Sequence, residues 1–182
     1  MSKARLVANR DIIDGSITDT DVNASAAIAA TKLSGVVTPT SADTLGNKTL
    51  LAPREVMNAV TNAPSDGATV RTFFDVANGS VLWQMAAATM NTRLDIRWNS
   101  TTTLNSVIPI GGCITVTFML ANGATAYYFN EVRIDNIPHS VRWQGGTAPT
   151  AGNANSIDAY TFTLYKGADA AFSVFGSVVK FA

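Results

Sequence analysis

The sequence predicts a mainly β protein: a C-terminal antiparallel β-sandwich or jelly-roll-like head behind an extended, partly helical N-terminal oligomerisation region. Three observations carry this. All three Trp, four Tyr and eight Phe lie at or after Phe73, so residues 1–72 contain no aromatic ring. From about residue 68 the apolar residues recur with period two, the mark of strands with one buried face. Turn signals containing Gly separate these runs, and no long helical period interrupts them.

The strands follow in order. Thr69 to Val76 and Val81 to Met85 are apolar runs bracketing Asn78-Gly79. Leu94, Ile96 and Trp98 alternate with Arg93, Asp95 and Arg97, and Ile114, Val116, Phe118 and Leu120 alternate with Thr115, Thr117 and Met119. Val132 and Ile134 stand between Glu131, Arg133 and Asp135; Val141 to Trp143, Tyr160 to Leu164 and Phe172 to Phe181 complete eight strands. Gly111-Gly112, Asn122-Gly123, Asn136 to Pro138, Gly145-Gly146 and Lys166-Gly167 are the remaining turn signals. Short strands with such turns are the pattern of a sandwich or barrel.

The front part is different in kind. Aromatic side chains bring the most buried area, and residues 1–65 offer only separated aliphatics, Ile13, Ile17, Val22, Ile28, Leu33, Leu45 and Leu50 among them. Burying these returns far less free energy than ordering so many backbone residues costs. Disorder favours high net charge, whereas six basic residues here face six acidic ones. Burial between chains is therefore expected, with those seven aliphatics as the oligomerisation residues. Ser25 before Ala26-Ala27-Ile28-Ala29-Ala30 reads as an N-cap and a short helix. Ala52 to Val60 reads as a second, with Pro53 at its first position and Val56, Ala59 and Val60 on one face. Asn62 to Gly67 breaks it, which divides the chain into 1–65 and 66–182.

Composition excludes several classes of function. The chain has 182 residues, 13 basic and 13 acidic, for a formal net charge of zero, so no global field exists to hold nucleic acid or an anionic membrane. The most apolar stretch, 107–121, is broken by Pro109, Gly111 and Gly112 and is shorter than the roughly 20 residues of a membrane span. No apolar segment follows the basic opening residues as in a secretory signal. A soluble protein is expected, with neither nucleic acid nor membrane insertion.

Three stretches carry a resemblance. Asp21-Val22-Asn23-Ala24-Ser25-Ala26-Ala27-Ile28-Ala29-Ala30-Thr31-Lys32-Leu33 resembles a segment recurring in bacteriophage tail fibres and related virion appendages. Ala42-Asp43-Thr44-Leu45-Gly46-Asn47-Lys48-Thr49-Leu50, followed by Ala52-Pro53, is similar to the TLTNKTL element of such fibres, with Gly46 where Thr is usual. Val141 to Thr150, leading through Ile157 to Phe162 and the closing Gly176 to Phe181, resembles the C-terminal end of small phage tail proteins. The resemblance implies a non-enzymatic virion structural protein, assembled in the host cytoplasm, commonly a homotrimer. Its N-terminal region would attach to tail, baseplate or capsid proteins, and its β head would meet a host-surface glycan or a virion neighbour. A short tail fibre or baseplate part is the expected form; a head fibre or capsid decoration protein is the alternative, and a carbohydrate-degrading appendage enzyme a more remote one.

Chemistry-bearing residues are few. His139 is the one histidine, which leaves no two-histidine metal site within one chain and only a site made by one His per subunit on a trimer axis; it is expected instead in a turn after Pro138. Cys113 is expected to be a small buried hydrophobe. Asp75, Asp95, Glu131, Asp135, Asp158 and Asp169 could supply a glycosidase pair, but solvated strand faces and turns account for each. No metal or cofactor is expected. Among the rings, Trp83, Trp98, Trp143 and Tyr165 belong mainly to the core. Adjacent Tyr127 and Tyr128 would point to opposite faces of a strand, which makes them the candidate binding residues.

Overall fold

The computed structural model describes residues 56–61 and 71–182. Ten strands form in chain order: β1 Met57–Val60, β2 Arg71–Asp75, β3 Val81–Ala88, β4 Thr92–Arg97, β5 Cys113–Asn122, β6 Phe129–Ile134, β7 Ile137–His139, β8 Val141–Trp143, β9 Ile157–Ala168 and β10 Ala171–Phe181. One α-helical turn, α1 Leu104–Val107, precedes β5. The strands make a six-stranded sheet, ordered β1-β3-β5-β9-β10-β8, and a four-stranded sheet, ordered β2-β4-β6-β7.

From β1 to β6 the chain alternates between the two sheets, and each strand lies parallel to the one laid down two elements earlier. Parallel neighbours need a crossover, and here each crossover contains a strand of the opposite sheet. The winding ends where β9 enters antiparallel to β5 and β10 antiparallel to β9, while β8 pairs parallel with β10. The expectation of antiparallel sheets is thus corrected: both sheets are mixed. The period-two pattern marks which side of a strand is buried, and a parallel ladder buries the same side as an antiparallel one.

The inward faces share one core. Phe74, Leu94, Ile96, Val132 and Ile134 of the four-stranded sheet join Leu82, Val116, Phe118, Leu120, Phe162, Leu164 and Val174 of the six-stranded one, all nearly or fully buried. A run of ring contacts ties the sheets together: Phe74 to Phe118 (6.3 Å between centroids), Phe118 to Phe129 (4.7 Å), Phe129 to Tyr160 (4.9 Å), Tyr160 to Phe162 (6.4 Å) and Phe162 to Trp143 (5.8 Å). Most are edge-to-face, a geometry worth about 0.5–1.5 kcal/mol per pair beyond the area buried. Gly176 lets β8 approach: a Cβ there would stand 2.6 Å from Val141 Cγ1 and 3.1 Å from the Trp143 ring.

Locally, the structure changes several expectations. Residues Met57–Val60 form a strand, not the end of a helix, because pairing with β3 satisfies backbone groups that a turn or two of helix would leave open. This strand precedes residue 65 yet belongs to the six-stranded sheet. Ile137–His139 is strand β7, so His139 is not in a turn. Asp135 and Asn136, with φ of 49° and 70°, make a two-residue hairpin turn between Ile134 and Ile137. Pro138 is tolerated because β7 is an edge strand. Lys166-Gly167 lies within β9, and the turn falls at Asp169-Ala170, where Ala170 has φ 51°. Cys113 is exposed, since it opens β5 on the outward side opposite Tyr165. The expected oligomerisation residues Ile13, Ile17, Val22, Ile28, Leu33, Leu45 and Leu50, and the helix after Ser25, lie outside the described residues. No helix among the described residues is long and apolar enough to cross a membrane.

Candidate functional site

A polar cleft of about 170 Å³ opens on the four-stranded sheet, where β4 runs into the 99–103 loop beside the β6–β7 turn. Two local structures build it. The Asn99 side chain folds its loop by accepting from the Thr101 and Thr102 backbone N–H groups (2.9 and 2.8 Å) and from the Thr101 hydroxyl (3.0 Å). The hairpin turn aims the Asp135 carboxylate at the start of α1, where it accepts from the N–H groups of Leu104 (2.7 Å) and Asn105 (2.8 Å). Thr103 caps the same turn by accepting from Ser106 N–H at 3.2 Å.

Asp95 forms the floor. Strand alternation points it outward, but the hairpin covers it, leaving it 1% exposed. It accepts from Asn136 N–H (3.0 Å) and from Arg71 Nη1 (3.4 Å), and Arg71 also donates to the Asn136 side chain. On the rim, Arg97 donates to Asp75 at 2.6 Å and lies 3.9 Å above the Phe73 ring, itself 44% exposed. The cleft thus offers an accessible ring beside a guanidinium, the four hydroxyl-bearing residues Ser100 to Thr103 and the amides of Asn99 and Asn136. That set can contact the apolar face of a sugar and hydrogen-bond its hydroxyls.

The six acidic residues named as a possible hydrolytic set all have structural partners. Asp75 and Asp95 are paired as above; Glu131 bridges Arg93 (3.0 Å) and Arg133, and Asp135 caps α1. Asp158 is fully buried, which corrects the solvated reading, and accepts from Asn153 N–H (2.8 Å), Asn153 Nδ2 (2.8 Å) and Asn122 Nδ2 (3.1 Å). Asp169 accepts from Asn105 Nδ2 at 3.0 Å. The Asp158 group admits no side chain at Gly152, where a Cβ would stand 2.0 Å from the Tyr127 carbonyl oxygen. Above it, burial first and the Asp158 charge second hold the Tyr160 phenol protonated far above its ordinary range.

Tyr127 and Tyr128 lie in the loop between β5 and β6, not on a strand, and both rings pack half-buried against the core. Asn122 holds the Tyr127 backbone from both sides (3.0 and 3.1 Å), and Asn91 accepts from Tyr128 N–H at 3.1 Å. Neither lines the cleft. The cleft residues Phe73, Arg97, Asn99 and Asn136 were not singled out from sequence; the polar run from Asn99 to Thr103 and the Asp135-Asn136 pair were the available signals. His139 stacks edge-on against Phe172 at 6.0 Å, and burial lowers its pKa against the opposing effects of the Phe172 backbone and Asp135. Among the described residues no group of three or more His, Cys, Asp and Glu side chains could hold a metal ion. No family model, curated protein or solved structure matches the chain.

Proposed function

We propose that this chain is a non-enzymatic bacteriophage virion structural protein, a short homotrimeric tail fibre or tail or baseplate component. The residues ahead of β1 attach and oligomerise; β1 together with residues 71–182 forms a two-layered β-sandwich head that presents the polar cleft to a host-surface glycan or a neighbouring virion protein. The observation that carries this reading is the division of the chain: 72 residues without a ring stand ahead of a unit whose core is tied by a continuous run of rings. A segment unable to enclose its own interior and joined to a well-packed head fits attachment at one end and presentation at the other. The sequence resemblance supports the same division, and the engagement of the acidic residues in caps and ion pairs supports a structural role.

Antibodies against the head, applied to intact virions in electron microscopy, are expected to label tail tips or baseplates. Label distributed over the capsid, with a copy number near that of the major capsid protein, would move the protein to the decoration class. Absence from virions, or new reducing ends released from host polysaccharide by the purified protein, would overturn the reading.

A further inference from the structure

The outward side of the six-stranded sheet is almost free of charge. Strand register sets its rows: Met57, Val81, Thr117, Thr161 and Ser177 in one; Ala59, Trp83, Met119, Ala159 and Val179 in the next; Ala121, Ile157 and Phe181 beyond. None of these side chains is ionisable. On the other side lie Thr115, Thr163 and Phe175, with Arg142 at the β8 edge. Several of these residues stand well out of the surface: Met57 is 48% exposed, Val179 54%, Phe181 53%, and Met85, farther along β3, 47%. Neighbouring strands about 4.8 Å apart and same-side residues about 6.7 Å apart give roughly 30 Å² per position, so the three charge-free rows cover roughly 400 Å² in plan. Three of the thirteen positions are Thr or Ser, so roughly 300 Å² of it is apolar, the size of the largest patch on a typical monomer, which is often functional.

We infer that a second copy of this chain covers this face. The contrast within the molecule excludes a compositional accident, because the chain places charge freely on the outward side of its other sheet, at Arg71, Arg93, Arg97, Glu131 and Arg133. Where copies pack around a shared symmetry axis, residues beside the axis meet their own counterparts, so a charge there would meet its like. The hydroxyls of the face also need little from a partner: Thr115 pairs with Thr163 at 3.0 Å and Thr117 with Thr161 at 3.2 Å within the sheet. Adding the Thr115, Thr163, Phe175 and Arg142 row brings the face to roughly 500 Å² in plan, below the roughly 800 Å² that each partner gives to a standard interface, so the contact is of the small, dissociable kind. The inference deepens the assembly reading above and rests on its claim that the chain works as an oligomer.

The test is the native mass of the full chain from about 1 to 100 μM, with and without the double substitution Met119→Glu and Val179→Glu. The wild-type chain is expected to be an oligomer. The double variant should keep a cooperative melt and raise the dissociation constant by about tenfold or more, which is about 1.4 kcal/mol or more, while Arg93→Ala on the opposite sheet should leave it unchanged. A wild-type oligomer that the double variant does not weaken overturns this inference and leaves the assembly reading standing. A wild-type monomer at 100 μM overturns both and gives the face to a different occupant, such as another virion protein. If the double variant does not fold, Met85→Glu, at a half-exposed position, decides between the same outcomes.

Discussion

The outward sides of the two sheets were made by the same strand alternation and carry opposite chemistry. On the four-stranded sheet, Arg71, Asp75, Arg93, Asp95, Arg97, Glu131 and Arg133 form a lattice of ion pairs around the cleft. On the six-stranded sheet, Arg142 is the one charged residue in the outward rows among the described residues. Alternation requires only that one side be apolar enough to enter the core; it leaves the other side free. The difference between the two free sides fits the surroundings proposed for each: water and polar ligands on one, a second copy of the chain on the other.

Substitutions sharpen this contrast by separating charges that hold structure from charges that solvate it. The largest effect is expected from Asp95→Ala, which leaves the Asn136 N–H without its acceptor beneath the hairpin and takes one partner from the partly exposed Arg71 guanidinium; a loss of about 1–3 kcal/mol by denaturant unfolding is expected. In the core between the faces, Tyr160→Phe should matter less. The Tyr160 hydroxyl is buried with no hydrogen bond of good geometry, only a weak contact with the Phe129 backbone, so removing it should change stability by less than about 1 kcal/mol in either direction.

Smaller still is the pH effect of His139. Its folded pKa lies below the ordinary 6.5, chiefly through burial. Above that value both folded and unfolded imidazoles are neutral and the full stability is present. As pH falls below 6.5 the unfolded chain takes up the proton first, so stability declines until the folded imidazole also protonates. His139→Gln should flatten that part of a stability-versus-pH curve, and an unchanged slope would assign it to other groups. The smallest effect belongs to Arg93→Ala: its pair with Glu131 is partly exposed, and a cost under about 1 kcal/mol is expected.

How much of this was legible in the sequence depends on the range of the interactions. Eight strands were legible because parity alone marks a buried side, as in Val116, Phe118 and Leu120. Their directions were not, since the side chains of β3 and β5 alternate identically whether the ladder is parallel or antiparallel. Strand β7 was hidden because Pro138 resembles a turn signal, and it is an edge position that tolerates it. Strand β1 was hidden because Met57-Asn58-Ala59-Val60 suits either period, and pairing with β3 decides. The cleft brings Phe73 beside Arg97 and Asp95 beside Asn136, contacts that no local pattern encodes. The uncharged face could not be read either: Met119, Thr161 and Val179 become one surface only through the register of β5, β9 and β10.

Methionine oxidation offers the most direct test of the central claim that the two faces meet different surroundings. Met57, Met85 and Met119 lie on the outward side of the uncharged sheet, while Met90 sits in the β3–β4 connection and serves as an internal reference. In the single chain Met57 and Met85 are about half exposed and should react readily with dilute peroxide. At concentrations where the chain assembles, mass spectrometry of peroxide-treated protein should show these two slowed several-fold relative to Met90, with the protection lost on dilution. Oxidation of Met57 and Met85 as fast as Met90 at every concentration would mean that the face stays open, and would contradict the account.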